Sequence, residues 1–177
     1  MTKPTVKFKR PSGRQPVIVQ ILPALVRGGV ERGTVEMAKA IQTSGGHAVV
    51  ISNGGPLVRH IERCGGKHIA LPVHVKNPLL WPRLRRQLKA IFQTEGADIV
   101  HVRSRVPAWL ALNLAKSMGI ATISTVHSRF TSRSFLKRYF NAKLLDAGQV
   151  IAISDYVYGL ITSQHIGVED RLTVVHR

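Results

Sequence analysis

Apolar, largely β-branched runs return along the chain at near-regular intervals: VIVQIL (17–22), HAVVIS (47–52), KHIAL (67–71), DIVHV (98–102), ATISTV (121–126), QVIAI (149–153) and RLTVV (171–175). Most are apolar at consecutive positions, the pattern of strands covered by helices on both faces. Between them the period lengthens. Residues 79–92 set Leu80, Leu84, Leu88 and Ile91 along one side and Arg83, Arg85, Arg86 and Lys89 along the other, which predicts an amphipathic helix. Residues 106–118 carry Pro107 near the start and Gly119 just past the end, the order a helix tolerates.

Gly45-Gly46, Gly65-Gly66, Gly96 and Gly119 each stand where a helix should stop and a strand begin. This alternation predicts an α/β fold, a doubly wound and mostly parallel Rossmann-like sheet of about seven strands with helices on both faces. Residues 1–15, basic and proline-rich, read as a flexible arm, and 16–177 as one domain. No helical pattern follows the final run, so the chain is expected to be the first half of something longer.

The most informative junction follows the first strand, where LPALVRGGVERG leads into a helix beginning near Val30. In open parallel sheets ligands sit at the carboxyl ends of strands, and helix N-termini there attract anions. Gly28 and Gly29 let the backbone approach such a ligand closely, since no Cβ intervenes. The stretch is not a dinucleotide fingerprint: GGVERG does not fit G-x-G-x-x-G, and ISNGG after the second strand lacks the ribose-binding carboxylate. It is not a Walker loop either, because G-x-x-x-x-G-K-[ST] is absent.

Charge sharpens this picture. Lys and Arg number 26 against 9 acidic residues, a formal charge of +17, which implies a polyanionic neighbour: nucleic acid, an anionic membrane surface or a phosphorylated substrate. The single cysteine, Cys64, permits no internal disulfide and suits a reducing compartment. Gln20 and Pro23 interrupt the run after the basic arm, which argues against a signal peptide, and no stretch reaches the ~18 apolar residues of a membrane span. The expected location is the cytoplasm, at the inner face of the membrane.

Other strand ends carry further chemistry. Arg103, Ser104 and Arg105 follow the fourth strand and suit contact with phosphate or sugar oxygens. His127 ends the fifth, where an imidazole can exchange a proton with a hydroxyl near neutral pH. Lys76 follows the third strand, and Ser154, after the sixth, is placed to cap the next helix. There is no Asp-x-Asp, no pair of histidines at ligand spacing and no Gly-x-Ser-x-Gly elbow, so no bound metal or other cofactor is expected.

Taken in order, LPALVRGGVERGTVEMAKAI, GHAVVISNGG, ADIVHVRSRVPAWLA, ATISTVH and VIAISDYV resemble the N-terminal domain of family-4 retaining glycosyltransferases, in particular those that build bacterial surface polysaccharide and lipopolysaccharide core. The resemblance implies one half of a GT-B fold and a metal-independent transfer from a nucleotide-sugar to a saccharide or lipid-linked acceptor. It assigns the donor diphosphate to Gly28 and Gly29, and the vicinity of the transferred sugar to His127 as the catalytic residue. Glu31, Arg32, Lys76, Arg103, Ser104, Arg105 and Ser154 then fall on the acceptor side of the cleft. Ser128 departs from the glycine common after that histidine. The nucleotide-binding C-terminal half of such enzymes has no counterpart in these residues, which leaves a stand-alone inert or split N-domain, completed by a separate C-terminal domain, as one alternative. A basic nucleic-acid-binding module is the other, although no nucleic-acid motif is present. On the membrane reading, the basic arm, WPRLRRQLK (81–89) and SRFTSRSFLKRYF (128–140) are the docking segments.

Overall fold

The structure, a computed structural model, describes residues 14–127, 135–165 and 167–176. Seven strands form one parallel sheet: β1 Val17–Ile21, β2 His47–Ser52, β3 Lys67–Ala70, β4 Ile99–Val102, β5 Ala121–Val126, β6 Gln149–Ala152 and β7 Leu172–Val174. Their order across the sheet is β3-β2-β1-β4-β5-β6-β7. The chain winds outward in one direction from β1 and in the other from β4. The boundary between these two strands is therefore the topological switch point, where crossovers diverge and leave a crevice at the carboxyl edge.

Among the described residues, six helices make the crossovers: α1 Gly29–Thr43, α2 Val58–Arg63, α3 Trp81–Glu95, α4 Arg105–Ser117, α5 Phe135–Ala142 and α6 Asp155–Thr162. Right-handed crossovers on opposite sides of a switch point place their helices on opposite faces. Two cores result. Leu22, Leu25, Ala38, Ala48, Val50 and Ile61 close the sheet against α1 and α2. The larger core joins Val19, Ile21, Ile51, Val100 and Val102 to Leu88 and Phe92 of α3, Leu110 of α4 and Ile161 of α6.

The expected helix over 79–92 begins differently. Asn77 accepts from the Leu79 amide and sets a 3-10 turn at Pro78–Leu80, and Pro82 then occupies the first turn of α3. Gly96 ends α3 in the left-handed conformation. At the start of the sheet, Asp98 accepts from both Arg14 (2.7 Å) and the Val17 amide (2.8 Å), so Arg14 is tied to the base of β4. Residues 1–13 of the expected arm, Ser128 and residues 128–134 of the basic segment lie outside the described residues. Among the described residues, no helix is long and apolar enough to cross a membrane, and no cluster of three His, Cys, Asp or Glu could hold a metal ion.

Candidate functional site

The loop between β1 and α1 is stitched to the loop after β2. Asn53 donates to the Pro23 carbonyl (3.0 Å), Leu25 to Gly54 (2.8 Å) and Leu57 to Leu25 (3.0 Å). A Cβ on Gly55 would collide with the Leu25 carbonyl, and its positive φ disfavours side chains as well. The NGG after the second strand thus clamps the glycine turn from the side. That is a physical role for residues notable in the sequence mainly for the carboxylate they lack.

Gly28 is the N-cap of α1, with φ 147° and ψ 174°, and Gly29 is its first helical residue. Arg32 closes the first turn on the Gly28 carbonyl (3.1 Å), and no side chain caps the helix. The uncapped amides and the positive end of the helix dipole therefore face outward at the switch point. The Glu31 carboxylate leans over the turn: Oε2 would lie 2.5 Å from a Cβ on Gly28. Glu31 is half-buried and Arg32 exposed at this mouth.

Along the flank of α1 runs an open groove of about 300 Å³. Gly33, Glu36, Met37 and Ala40 form its helical wall, and His101, Arg103, Thr125, His127, Ile151, Ile153, Val175 and His176 its floor. Beneath lies a buried polar lattice. Arg103 Nη1 donates to Gln20 Oε1 (2.9 Å) and to the Gly33 carbonyl (3.2 Å), while Gln20 Nε2 donates to the Thr34 carbonyl (3.1 Å). One cation and one amide thereby lock β1, β4 and the second turn of α1 together. Beside them His101 Nε2 and Thr125 Oγ1 are 2.7 Å apart. Burial, reinforced by the Arg103 guanidinium and the neighbouring His127, lowers the His101 pKa to about 3, so its ring is neutral at physiological pH.

Of the residues singled out in the sequence, Gly28, Gly29, Glu31 and Arg32 lie together at the start of α1, and Arg103 and His127 share the adjoining groove. Arg103 is placed differently from its neighbours. It continues the alternation of His101 on β4, so its side chain turns under α1, where it is 7% exposed and bonded to Gln20. It is a strut before it is a ligand contact. Ser104 takes an extended N-cap conformation before α4 without a side-chain cap bond, and Arg105 opens that helix, half-buried, with desolvation lowering its pKa. Neither lines the groove. Ser154 caps α6, accepting from the Val157 amide (3.3 Å), as the sequence suggested. Lys76 is exposed on the loop after β3, three strands from β4, and the fold does not bring it to the groove.

Gln20 and His101 escaped sequence reasoning because each is a lone polar residue inside an apolar strand, and Thr125 because it is one of three hydroxyl residues in β5. The available signal was alternation: 101 with 103, and 125 with 127, put polar groups on one face of adjacent strands. The parallel register sets Gln20 opposite His101.

A parallel sheet with a glycine-led helix at its switch point defines the class as a Rossmann-like α/β domain. The sequence model of glycosyltransferase family 4 matches residues 27–177, and the chain belongs to that family. No curated protein matches the chain in sequence. Among solved structures, it is similar to a glycosyltransferase from Rickettsia africae ESF-5, with 32% identity and a TM-score of 0.77 over 92% of this chain and 43% of that one. It shares the fold of Anabaena Alr3699/HepE, solved with UDP-glucose, at 14% identity and a TM-score of 0.72, over 90% of this chain and 43% of that one. The same holds for the lipopolysaccharide outer core galactosyltransferase WaaB, solved in its apo form, at 13% identity and a TM-score of 0.69, over 92% and 46%. The chain therefore spans less than half the length of each of these three proteins.

Proposed function

We propose that the chain is the acceptor-side half of a retaining, metal-independent glycosyltransferase that moves a sugar from a nucleotide diphosphate to a saccharide or lipid-linked hydroxyl. One observation carries the reading: Gly33, one turn into the uncapped helix α1, and His127 line the same groove. The Gly28–Gly29 amides and the α1 dipole would meet the donor diphosphate as it leaves with two negative charges. Oriented donors stabilise developing charge without reorganising, which is the main way such a site lowers a barrier. The Glu31 carboxylate occupies the same space and would swing aside for the diphosphate, since two anions over one turn repel.

His127 stands at the reacting end, facing the transferred sugar and the incoming hydroxyl. Neutral His101 and the Arg103–Gln20 strut beneath it hold the floor of the groove and bring no competing anion there. The nucleotide itself would be held by a second domain supplied in cis or by a partner chain, consistent with the length of the similar structures. UDP-glucose is the first donor to test, because Alr3699/HepE was solved with it.

The test is transfer from radiolabelled UDP-sugars by the chain combined with such a second domain, before and after His127→Ala. A loss of about 100-fold or more in kcat with donor affinity retained is expected, the usual scale for a group acting in the transition state. Unchanged turnover would remove His127 from the reaction.

A further inference from the structure

We propose that the 3-10 turn Pro78–Leu80 and helix α5 together form a docking face for an anionic lipid bilayer, with Leu79, Leu136 and Tyr139 entering the headgroup layer and neighbouring basic side chains meeting lipid phosphates. The inference stands apart from the sugar-transfer reading and rests on different residues. Single exposed apolar residues are ordinary on a protein surface. Here Leu79 is 84% exposed, Leu136 77% and Tyr139 63%, on two elements far apart in sequence.

An aromatic base joins them. The Trp109 ring lies 6.2 Å from Trp81, 5.5 Å from Tyr139 and 5.8 Å from Phe140, centroid to centroid. Trp81 donates to the Val75 carbonyl (3.0 Å), fixing the loop that carries Leu79, and Trp109 donates to the Phe140 carbonyl (3.2 Å), fixing α5. Lys143 sits over Trp109 at 5.2 Å and is itself held by Asp146 (2.7 Å) and Asn113 (3.0 Å). The protruding tips thus stand on a rigid platform, so little ordering would oppose insertion.

Charge selects the occupant. Residues 63–94 and 99–145 contain no Asp or Glu. Lys76 precedes the 3-10 turn, Arg83 and Arg86 lie on α3 just after it, Lys137 and Arg138 lie on α5, and all five are exposed. Aliphatic tips ringed by cations fit the boundary between lipid phosphates and acyl chains. Nucleic acid offers Leu79 and Leu136 nothing to enter, and single strands prefer stacked aromatic platforms, of which, among the described side chains of this face, only Tyr139 is well exposed. A second copy of the chain would set like charges against each other. Of the segments expected from the sequence, 81–89 contributes charge alone, 128–140 contributes α5, and Leu79 joins them. Lys76 finds a role here that the groove does not give it.

Flotation of the intact chain with phosphatidylcholine vesicles, with and without phosphatidylglycerol, tests this directly. Trp81 and Trp109 are the chain's only two tryptophans, and both belong to the platform, so their emission reports the same event. The expected result is binding to the anionic vesicles only, weakened by salt, with a blue shift. Leu79→Ser with Leu136→Ser should weaken it at least about ten-fold, a conservative share of two leucine transfers. Removing charge at Lys137→Gln and Arg138→Gln should cost about five-fold each, the equivalent of ~1 kcal/mol per charge. Both pairs are exposed, so folding is preserved, and Tyr156→Ser on α6 should bind as the parent does. Equal binding to neutral vesicles overturns the proposal. So does parental binding by the leucine pair, or preferential capture of a uridine oligonucleotide lost in the same variants.

Discussion

The two faces of the sheet are sealed by different chemistry. Toward α3, α4 and α6 the contacts are mainly apolar and end at the aromatic cluster around Trp109, where Lys143 is held by Asp146 and Asn113. Toward α1 the seal stops at β1. From Gln20 of β1 onward the face is polar: Gln20 braces Arg103, His101 pairs with Thr125, and the groove beside them is open to water. An apolar face gains free energy by excluding solvent and so tends to close completely. A polar lattice fixes elements in register while keeping a wettable surface beside them. The comparison teaches that one side of this molecule stores stability and the other presents geometry. Substitutions should therefore separate into those that unfold the chain and those that spoil the groove.

The sharpest break is Trp109→Ala. It removes the ring that joins Trp81, Tyr139 and Phe140 and the bond to the Phe140 carbonyl, and should destabilise by about 3 kcal/mol. Urea unfolding measures it, and a loss below half that value would deny the cluster its structural role.

Acidification probes the other face. His101 is neutral in the fold with a pKa of about 3, against 6.5 in the unfolded chain. Because the folded value is depressed, the unfolded chain takes up the proton first. Stability is complete above about pH 6.5 and is lost as pH falls toward 3, with a limiting slope of about 1.4 kcal/mol per pH unit. Between pH 7 and 5 the loss should reach about 2 kcal/mol. The His68 and His165 values are lowered too, mainly by burial, and add in the same direction. His101→Gln should flatten most of this fall, and an unchanged profile would contradict the assignment.

A smaller effect is expected from Gln20→Leu. It strips the Arg103 guanidinium of an acceptor and the Thr34 carbonyl of a donor, at a cost of about 1–2 kcal/mol. Adding Arg103→Met should recover part of that loss, because replacing both members of a buried polar pair costs less than orphaning one. Strictly additive losses would show that the two residues do not act as a strut.

Most of the architecture was legible because it is written locally. Runs such as HAVVIS and ATISTV admit little but buried strands, and Gly96 and Gly119 mark helix ends through their positive φ. The start of α3 lies a few residues after the start of the apolar pattern, because whether Leu79 and Leu80 join a helix depends on Asn77 capping and Pro82 entering the first turn. The site was legible only in part. Gly28 and His127 announce themselves by type and by position at strand ends. The fate of Arg103 depends on which way it turns, and that follows from strand register and the helix above it, neither of which the local sequence states. Gln20 read as an interruption of an apolar run, although it is the residue that accepts Arg103.

The central claim is that the glycine turn and the groove beside it receive the diphosphate of a sugar nucleotide. It is tested most directly by titrating the isotope-labelled chain, combined with a second domain that holds the nucleotide, with UDP-glucose, and separately with glucose, while following backbone amide and imidazole resonances. The account predicts that the Gly28 and Gly29 amides and the His127 ring shift together with UDP-glucose, that glucose alone leaves the glycine amides in place, and that Glu31→Gln enlarges the response. Shifts confined to other residues, or glycine amides that stay fixed while the chain binds the nucleotide elsewhere, would contradict it.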